Sequence, residues 1–205
     1  MAKDVPAPAA AFYFDLASPL AYLAAERILQ LLPSPAEWQP VLARELPGAQ
    51  TFDAFRCDEE REIFRAELAR RAQLLELQPL RWPDPFPFDS TLAMRVATYA
   101  KSIGRTVPFA QAAFRQAFAG GWALHDPDSV LIAAAACEMH PAAVLQAAER
   151  RSIIAQLAGS TAAAAEAGVR DVPAIRLGSR VFHGEHAVEE AAGQMRACDA
   201  EARSS

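Results

Sequence analysis

Residues 12–24 read Phe12-Tyr13-Phe14-Asp15-Leu16-Ala17-Ser18-Pro19-Leu20-Ala21-Tyr22-Leu23-Ala24, and the reading of this stretch decides the fold. The apolar, aromatic run over residues 11–16 predicts a buried strand. It passes directly into residues 19–32, where Leu20, Leu23, Ala24, Arg27, Ile28 and Leu31 recur at helical spacing. The junction is a serine followed by a proline. Serine suits the N-cap because its oxygen accepts a free backbone N–H. Proline suits the first helical position, where its missing N–H costs nothing. A helix N-terminus also favours an anion such as a thiolate, through its dipole and its unpaired N–H groups. A plain cap and a sulfur-holding serine both remain open here. The junction carries no cysteine, so any sulfur held there comes from a ligand.

Outward from this junction, Pro33-Ser34-Pro35 ends the helix. Glu37 to Ala43 predicts a second strand, which Pro40 places at a sheet edge or near a bulge. Residues 53–77 carry dense charge with Ile63, Ala66, Leu68, Leu74 and Leu75 at helical spacing, predicting one or two helices. Their charged run, Arg56 to Arg71, reads as a solvated face with i,i+4 pairs. Residues 79–88 hold Pro79, Pro83, Pro85 and Pro87, which exclude helix and interior strand. Asp89 or Ser90 then caps a helix with Leu92, Val96, Tyr99 and Ile103 on one face. Pro108 opens another, with Ala110, Phe114, Ala117 and Phe118 inward. Asp126-Pro127 starts a third, predicted to run to about Met139. Pro141 begins a short helix, and a longer one follows with Gly168 as a left-handed stop. Strand character returns at Ala174–Leu177 and Arg180–His183, joined through Gly178-Ser179, a hairpin signal. Residues 186–200 predict a final amphipathic helix.

The order β–α–β, many helices, then β–β–α predicts an α/β chain: a thioredoxin-like fold with a large all-helical insertion. Residues 1–10 read as a loose N-terminal leader, 11–50 and 165–205 as the thioredoxin-like domain, and 51–164 as the helical insertion. Neither end segment makes a stable sheet separately, so the two must pair across the insertion.

Hydrophobic residues make up 52% of the 205, enough for a substantial core. The net charge of −5 argues against a nucleic-acid or anionic-membrane surface. No apolar run is long enough to span a membrane, and residues 1–10 lack the apolar core of a secretory signal. Cys57, Cys137 and Cys198 form no CxxC pair, which leaves out a dithiol redox motif and a metal knuckle. Scattered cysteines fit a reducing compartment, so a cytoplasmic location is expected. His125, His140, His183 and His186 have no metal-ligand spacing, and no metal is expected. His125 reads as a surface or cap residue and His140 as a helix-end residue. Cys57, in a charged stretch without a nearby histidine, is not expected to be a nucleophile. Asp15 reads as strand-edge polarity or as a buried acid near the site.

A second segment joins the junction. Asp171-Val172-Pro173-Ala174-Ile175 places a proline at the start of the strand expected beside it. An ordinary trans-proline fits the dipeptide alone, but thioredoxin-like proteins carry a cis-proline at this point. Pro173 cannot donate a backbone bond, whereas Val172 has an N–H and a C=O to offer an extended peptide.

The chain resembles the family of 2-hydroxychromene-2-carboxylate isomerases and kappa-class glutathione transferases, relatives of the bacterial disulfide oxidoreductases in which serine replaces the first redox cysteine. The resemblance rests on the Phe12 to Ala24 motif and spans about residues 11–197. Trp82-Pro83-Asp84-Pro85-Phe86-Pro87-Phe88-Asp89-Ser90 with Ala93-Met94-Arg95 is similar to the family's Pro/Phe-rich loop and the helix after it. Gly168 to Ala174 is similar to its cis-proline segment. Val181-Phe182-His183-Gly184-Glu185-His186 is similar to a segment that usually reads Phe-Trp-Gly-x-Asp.

The resemblance implies glutathione as cofactor, with Ser18 as the catalytic residue that favours its thiolate. Pro19, Val172, Pro173, Glu185 and His186 would help hold the peptide. Trp82, Phe86 and Phe88 would wall a pocket for an aromatic substrate. The chemistry implied is nucleophilic catalysis: the thiolate adds to a conjugated alkene carbon, the bond rotates, and elimination gives the other geometry. A homodimer is implied too. The chain departs from the family after the second strand, where a Gly-rich stretch with lysine and asparagine is replaced by Arg44 to Asp53; Arg44 or Gln50 would have to substitute. His186 stands where an aspartate meets the γ-glutamyl ammonium. A neutral histidine accepts that bond and a protonated one repels it, and Glu185 is the neighbour that would take over. His183 replaces a common tryptophan. The expected function is a glutathione-dependent isomerase acting on a conjugated aromatic carbonyl compound. The alternatives are a kappa-like transferase that conjugates electrophiles, or a non-catalytic thioredoxin-like protein that binds a peptide or thiol.

Overall fold

The computed structural model describes residues 10–49 and 57–204. Strand β1 (Ala11–Phe14) leads into helix α1 (Pro19–Leu31) and then β2 (Glu37–Pro40). Six helices follow: α2 (Asp58–Leu74), α3 (Thr91–Ser102), α4 (Thr106–Phe118), α5 (Pro127–Ala135), α6 (Pro141–Ala148) and α7 (Arg151–Glu166). The hairpin β3 (Ala174–Leu177) and β4 (Arg180–His183) and helix α8 (Ala187–Ser204) close the described chain. The strand order is β2-β1-β3-β4. β1 runs parallel to β2 and antiparallel to β3, with Ala11 opposite Arg176 and Tyr13 opposite Ala174. This is the thioredoxin-like α/β fold, its sheet completed by segments from the two ends of the chain.

β2 is an edge strand, as Pro40 requires, but it stops at Pro40 rather than Ala43. Val41 still donates its N–H to the Phe14 carbonyl at 3.1 Å. The Ala43 N–H turns instead to the Asp15 carboxylate at 2.9 Å, and Ala43–Glu45 form a short 3-10 turn. α5 ends at Ala135, short of Met139, because Glu138 takes a left-handed φ of 58° and the Met139 N–H folds back to the Ala134 carbonyl. α4 begins two residues before Pro108. Ser90 precedes α3 without a side-chain cap bond; the Asp89 carboxylate caps it by accepting the Thr91 N–H at 2.9 Å. Gly168, at φ 91°, follows the end of α7 as predicted. The part of the expected charged helix before Cys57, Gln50, and most of the leader lie outside the described residues.

Alternation along β1 sends Phe12 and Phe14 to one face of the sheet and Ala11 and Tyr13 to the other. On the first face Phe14 packs against Trp38 and Phe114 with ring centroids 5.6 and 5.9 Å apart. Tyr22 of α1 stacks on Phe118 at 5.7 Å. This cluster continues through α1, α3, α4 and α8, and each fully buried aromatic in it contributes roughly 1.5–3 kcal/mol. On the second face Ala11, Tyr13 and Ala174 meet Val41, Val169, Val172 and Ala164 of α7. α2 is the exception among the helices: only Leu68 and Ala72 are buried, and Phe64 and Arg65 rest on Trp82.

Candidate functional site

The register of β1 on β3 brings the two informative segments to one end of the sheet. Tyr13 faces Ala174, so the chain leaves β1 toward Ser18 beside the point where Val172–Pro173 enters β3. That peptide bond is cis. The Pro173 carbonyl accepts the Gly184 N–H at 2.9 Å, which ties the loop carrying Glu185 and His186 to the same end.

Ser18 is the half-buried N-cap of α1, with an extended backbone at φ −90° and ψ 113°. Its Oγ accepts the Ala21 N–H at 3.1 Å, and its carbonyl accepts the Tyr22 N–H at 3.1 Å. The hydroxyl proton takes no part in the cap and is left to donate. Pro19 at the first helical position has no N–H. The Leu20 N–H makes no hydrogen bond to a described residue. One hydroxyl donor, one amide and the positive end of the helix dipole thus gather where an anionic sulfur would sit.

Beneath Ser18 lies Asp15, only 3% exposed. Its Oδ1 accepts the Ala17 N–H and its Oδ2 the Ala43 N–H, both at 2.9 Å, while its backbone carbonyl accepts the Ser18 N–H at 3.0 Å. Burial pushes the carboxyl above the ordinary aspartate value; the Ala17 and Ala43 N–H groups, the Ser90 side chain and the Arg44 charge pull the other way. The sequence signal for this residue was an acid set directly between Phe14 and Leu16 in a buried run.

A cleft of about 340 Å³ opens along α1, lined by Leu20, Leu23 and Arg27, by Arg70, Arg71, Leu74 and Leu75 of α2, and by Glu185, His186 and Glu189. The expected grip residues Glu185 and His186 line it; Ser18, Val172 and Pro173 do not, although Leu20 brings it to the first turn beside Ser18. Glu185 is ion-paired to Arg71 and lies 3.0 Å from His186 Nε2. Arg27 is paired to Glu189. The Val172 N–H is bonded at 2.7 Å to its own neighbour, the Asp171 carboxylate. In the sequence Arg27 reads only as part of a helical face and Arg70 and Arg71 only as part of a solvated one, and Glu189 is not singled out. Within an alternating charged run, nothing distinguishes the arginines that face a cleft from those that face water.

The three aromatics expected at a substrate pocket do not line this cleft. Trp82 and Phe86 are half-buried, 4.9 Å apart, and pack edge-on against Phe118 at 6.4 and 6.2 Å. Phe88 is buried. They seal the Pro-rich loop onto α4. Arg44 pairs with Asp89 at 2.8 Å, and His183 Nε2 accepts the Arg170 N–H at 3.1 Å as part of the hairpin. Cys57 and Cys198 are exposed and Cys137 is buried, all as free thiols. Among the described residues no group of three or more His, Cys, Asp or Glu is placed to hold a metal ion, and no helix is long and apolar enough to cross a membrane.

Residues 10–196 match the model of the DSBA-like thioredoxin domain. The fold is similar to that of a 2-hydroxychromene-2-carboxylate isomerase, with a TM-score of 0.80 at 20% identity over 96% of this chain and 98% of that one. It is similar to a probable DsbA oxidoreductase from Streptomyces coelicolor, with a TM-score of 0.76 at 18% identity over 92% and 88% of the two chains. It is also similar to the cytosolic disulfide reductase DsbM from Pseudomonas aeruginosa, solved with glutathione, with a TM-score of 0.65 at 12% identity over 95% and 99%. No curated protein matches the chain by sequence.

Proposed function

This chain belongs to the DSBA-like thioredoxin domain family, and within it we propose a glutathione-dependent isomerase acting on a conjugated aromatic carbonyl compound. The observation that carries this reading is Ser18 itself. It is the N-cap of α1, keeps a hydroxyl proton to donate, and follows β1 at the end of the sheet where the cis Val172–Pro173 bond enters β3. A thiol-disulfide exchange needs a cysteine at this junction, and residues 18–21 are Ser-Pro-Leu-Ala. The sulfur therefore has to arrive with a ligand.

The residues present fit glutathione by the chemistry of their donors. The Ser18 hydroxyl and the Leu20 N–H offer two donors to a sulfur anion, and the dipole of α1 adds to them. Val172, at the entry to β3, would offer its carbonyl to a backbone N–H of the tripeptide. The lining of the cleft beyond Leu20 combines cations, Arg27, Arg70 and Arg71, with carboxylates, Glu185 and Glu189. That mixture suits an amino-acid head group, which carries both charges. Its volume lies at the lower end of the roughly 300–1,000 Å³ usual for small-molecule sites. Bound glutathione would supply a nucleophilic thiolate to a conjugated alkene carbon of the substrate. Ser18 would hold that sulfur ionised by donating its hydroxyl proton into a hydrogen bond, and the leucines of the cleft would exclude water beside it. The likeness in fold to an isomerase and to a reductase solved with glutathione supports the same reading.

One observation favours a second reading, a non-catalytic binder. The Val172 N–H and the Glu185 carboxylate are already engaged within the chain, by Asp171 and Arg71. A single assay separates the readings. A conjugated aromatic ketone whose two alkene geometries differ in absorbance is mixed with the protein, with and without reduced glutathione. The isomerase interconverts them only with glutathione present and leaves the free thiol undiminished. Loss of thiol with adduct formation marks a transferase, and binding without turnover marks the binder.

A further inference from the structure

The turn between β1 and α1 is held mainly by one residue, Asp15. Leu16 donates its N–H to Met94 Sδ at 3.2 Å, but the next two amides both go to Asp15, Ala17 to the carboxylate and Ser18 to the backbone carbonyl. The second carboxylate oxygen takes the Ala43 N–H, 28 residues away, where β2 gives way to its 3-10 turn. The Ser90 side chain, at the start of α3, is close enough to the same carboxyl to lower its pKa. Two separated stretches of chain therefore meet on the buried Asp15 carboxylate, and the residue's own backbone carbonyl accepts the N-cap serine's N–H. The charged groups facing it are Arg44 and, through its ion pair with Arg44, Asp89.

We propose that Asp15 is the positioning residue of the Ser18 site: by accepting the Ala17 and Ala43 N–H groups it fixes the turn that aims the Ser18 hydroxyl and the first turn of α1. That the aimed atom is the sulfur of glutathione rests on the function proposed above; the positioning does not. A buried carboxyl with both oxygens accepting amides offers a geometry that no isosteric neutral side chain reproduces, because an asparagine has only one acceptor oxygen. Its second atom would present N–H to the Ala43 N–H. The site uses the two bonds the carboxyl makes, one amide on each oxygen.

The test uses a reporter that needs no glutathione. Ser18→Cys puts a thiol at the N-cap, and its pKa is read from the pH dependence of alkylation. Helix N-termini lower thiol pKa values to about 3.5–7.5 from a free value of about 8.5. With Asp15 intact the introduced thiol is expected in that lowered range. With Asp15→Asn added, its pKa is expected to rise by about one unit, and with Asp15→Ala by more, as one and then both anchoring bonds are lost. An unchanged or lowered thiol pKa in the folded Asp15→Asn variant overturns the proposal; a residue that merely added global stability would leave the thiol where it was. If neither variant folds, hydrogen exchange in the unsubstituted protein decides. Ala17 and Ala43 amides protected like those of β1 support the anchoring, and exchange at loop rates overturns it. Glutathione calorimetry on the unsubstituted protein tests the functional reading separately, so the two can fail independently.

Discussion

The Ser18 hydroxyl accepts the Ala21 N–H at 3.1 Å. An oxygen that accepts in the cap still holds its own proton, so capping and anion binding are compatible roles for one serine. Ser18→Ala removes both. The loss of the cap is expected to cost about 1 kcal/mol, within a usual range of roughly 0.5–2 kcal/mol, read as a lower midpoint in urea unfolding. The loss of the donor is expected to weaken glutathione binding about tenfold, the scale of one hydrogen bond to a charged group. A stability loss with unaltered affinity would reduce Ser18 to a cap.

Asp15 predicts a pH dependence with a definite sign. Burial holds its carboxyl above the ordinary value of 3.8. The folded state thus binds that proton more tightly than the unfolded state. The stability Asp15 contributes is complete below the ordinary value and is lost as pH rises through the raised one. Asp15→Asn has no such titration. Unfolding free energies of the two proteins, measured from pH 3.8 upward, are therefore expected to shift in favour of the variant as pH rises through that window. A difference that stays flat or moves the other way contradicts the assignment.

Glu185 separates affinity from stability. Its pairs with Arg71 and His186 lie at the surface, where an ion pair contributes about 0–1 kcal/mol. Glu185→Gln should therefore leave the urea midpoint nearly unchanged. It should weaken glutathione binding severalfold by removing a carboxylate from the cleft. Unchanged affinity would take Glu185 out of the grip.

Phe114 links the sheet to α1 by packing against Phe14 at 5.9 Å and Tyr22 at 6.2 Å. Phe114→Ala is expected to cost about 3–5 kcal/mol, whereas Trp122→Ala, at a residue 61% exposed, should change stability by less than about 0.5 kcal/mol. Equal effects in thermal unfolding would place the core elsewhere.

How much of this was legible in the sequence follows from how local each signal is. The serine–proline junction, the Pro40 edge strand and the Gly178-Ser179 hairpin are written in neighbouring residues, and each stands where it was expected. The end of β2 and the end of α5 were not, because they depend on partners outside the segment: a carboxylate from β1 for Ala43 and a left-handed turn at Glu138. The site divides the same way. Ser18 and Val172–Pro173 carry their chemistry in sequence, as cap and as cis-proline. Arg27, Arg70 and Arg71 become cleft residues only once α2 lies against α1; the charged, helical surroundings of Arg70 and Arg71 read identically on a solvated face. Trp82, Phe86 and Phe88 show the converse. Their aromatic character suggests a pocket wall, and the same character packs Trp82 and Phe86 on Phe118, with Phe88 on Phe86.

The central claim is that the Ser18 junction takes its sulfur from glutathione. Calorimetric titration of reduced glutathione into the unsubstituted protein tests it most directly. The account predicts saturable one-site binding at millimolar concentration or below, weakened about tenfold by Ser18→Ala. No heat of binding at millimolar glutathione, or a titration indifferent to Ser18→Ala, would contradict it.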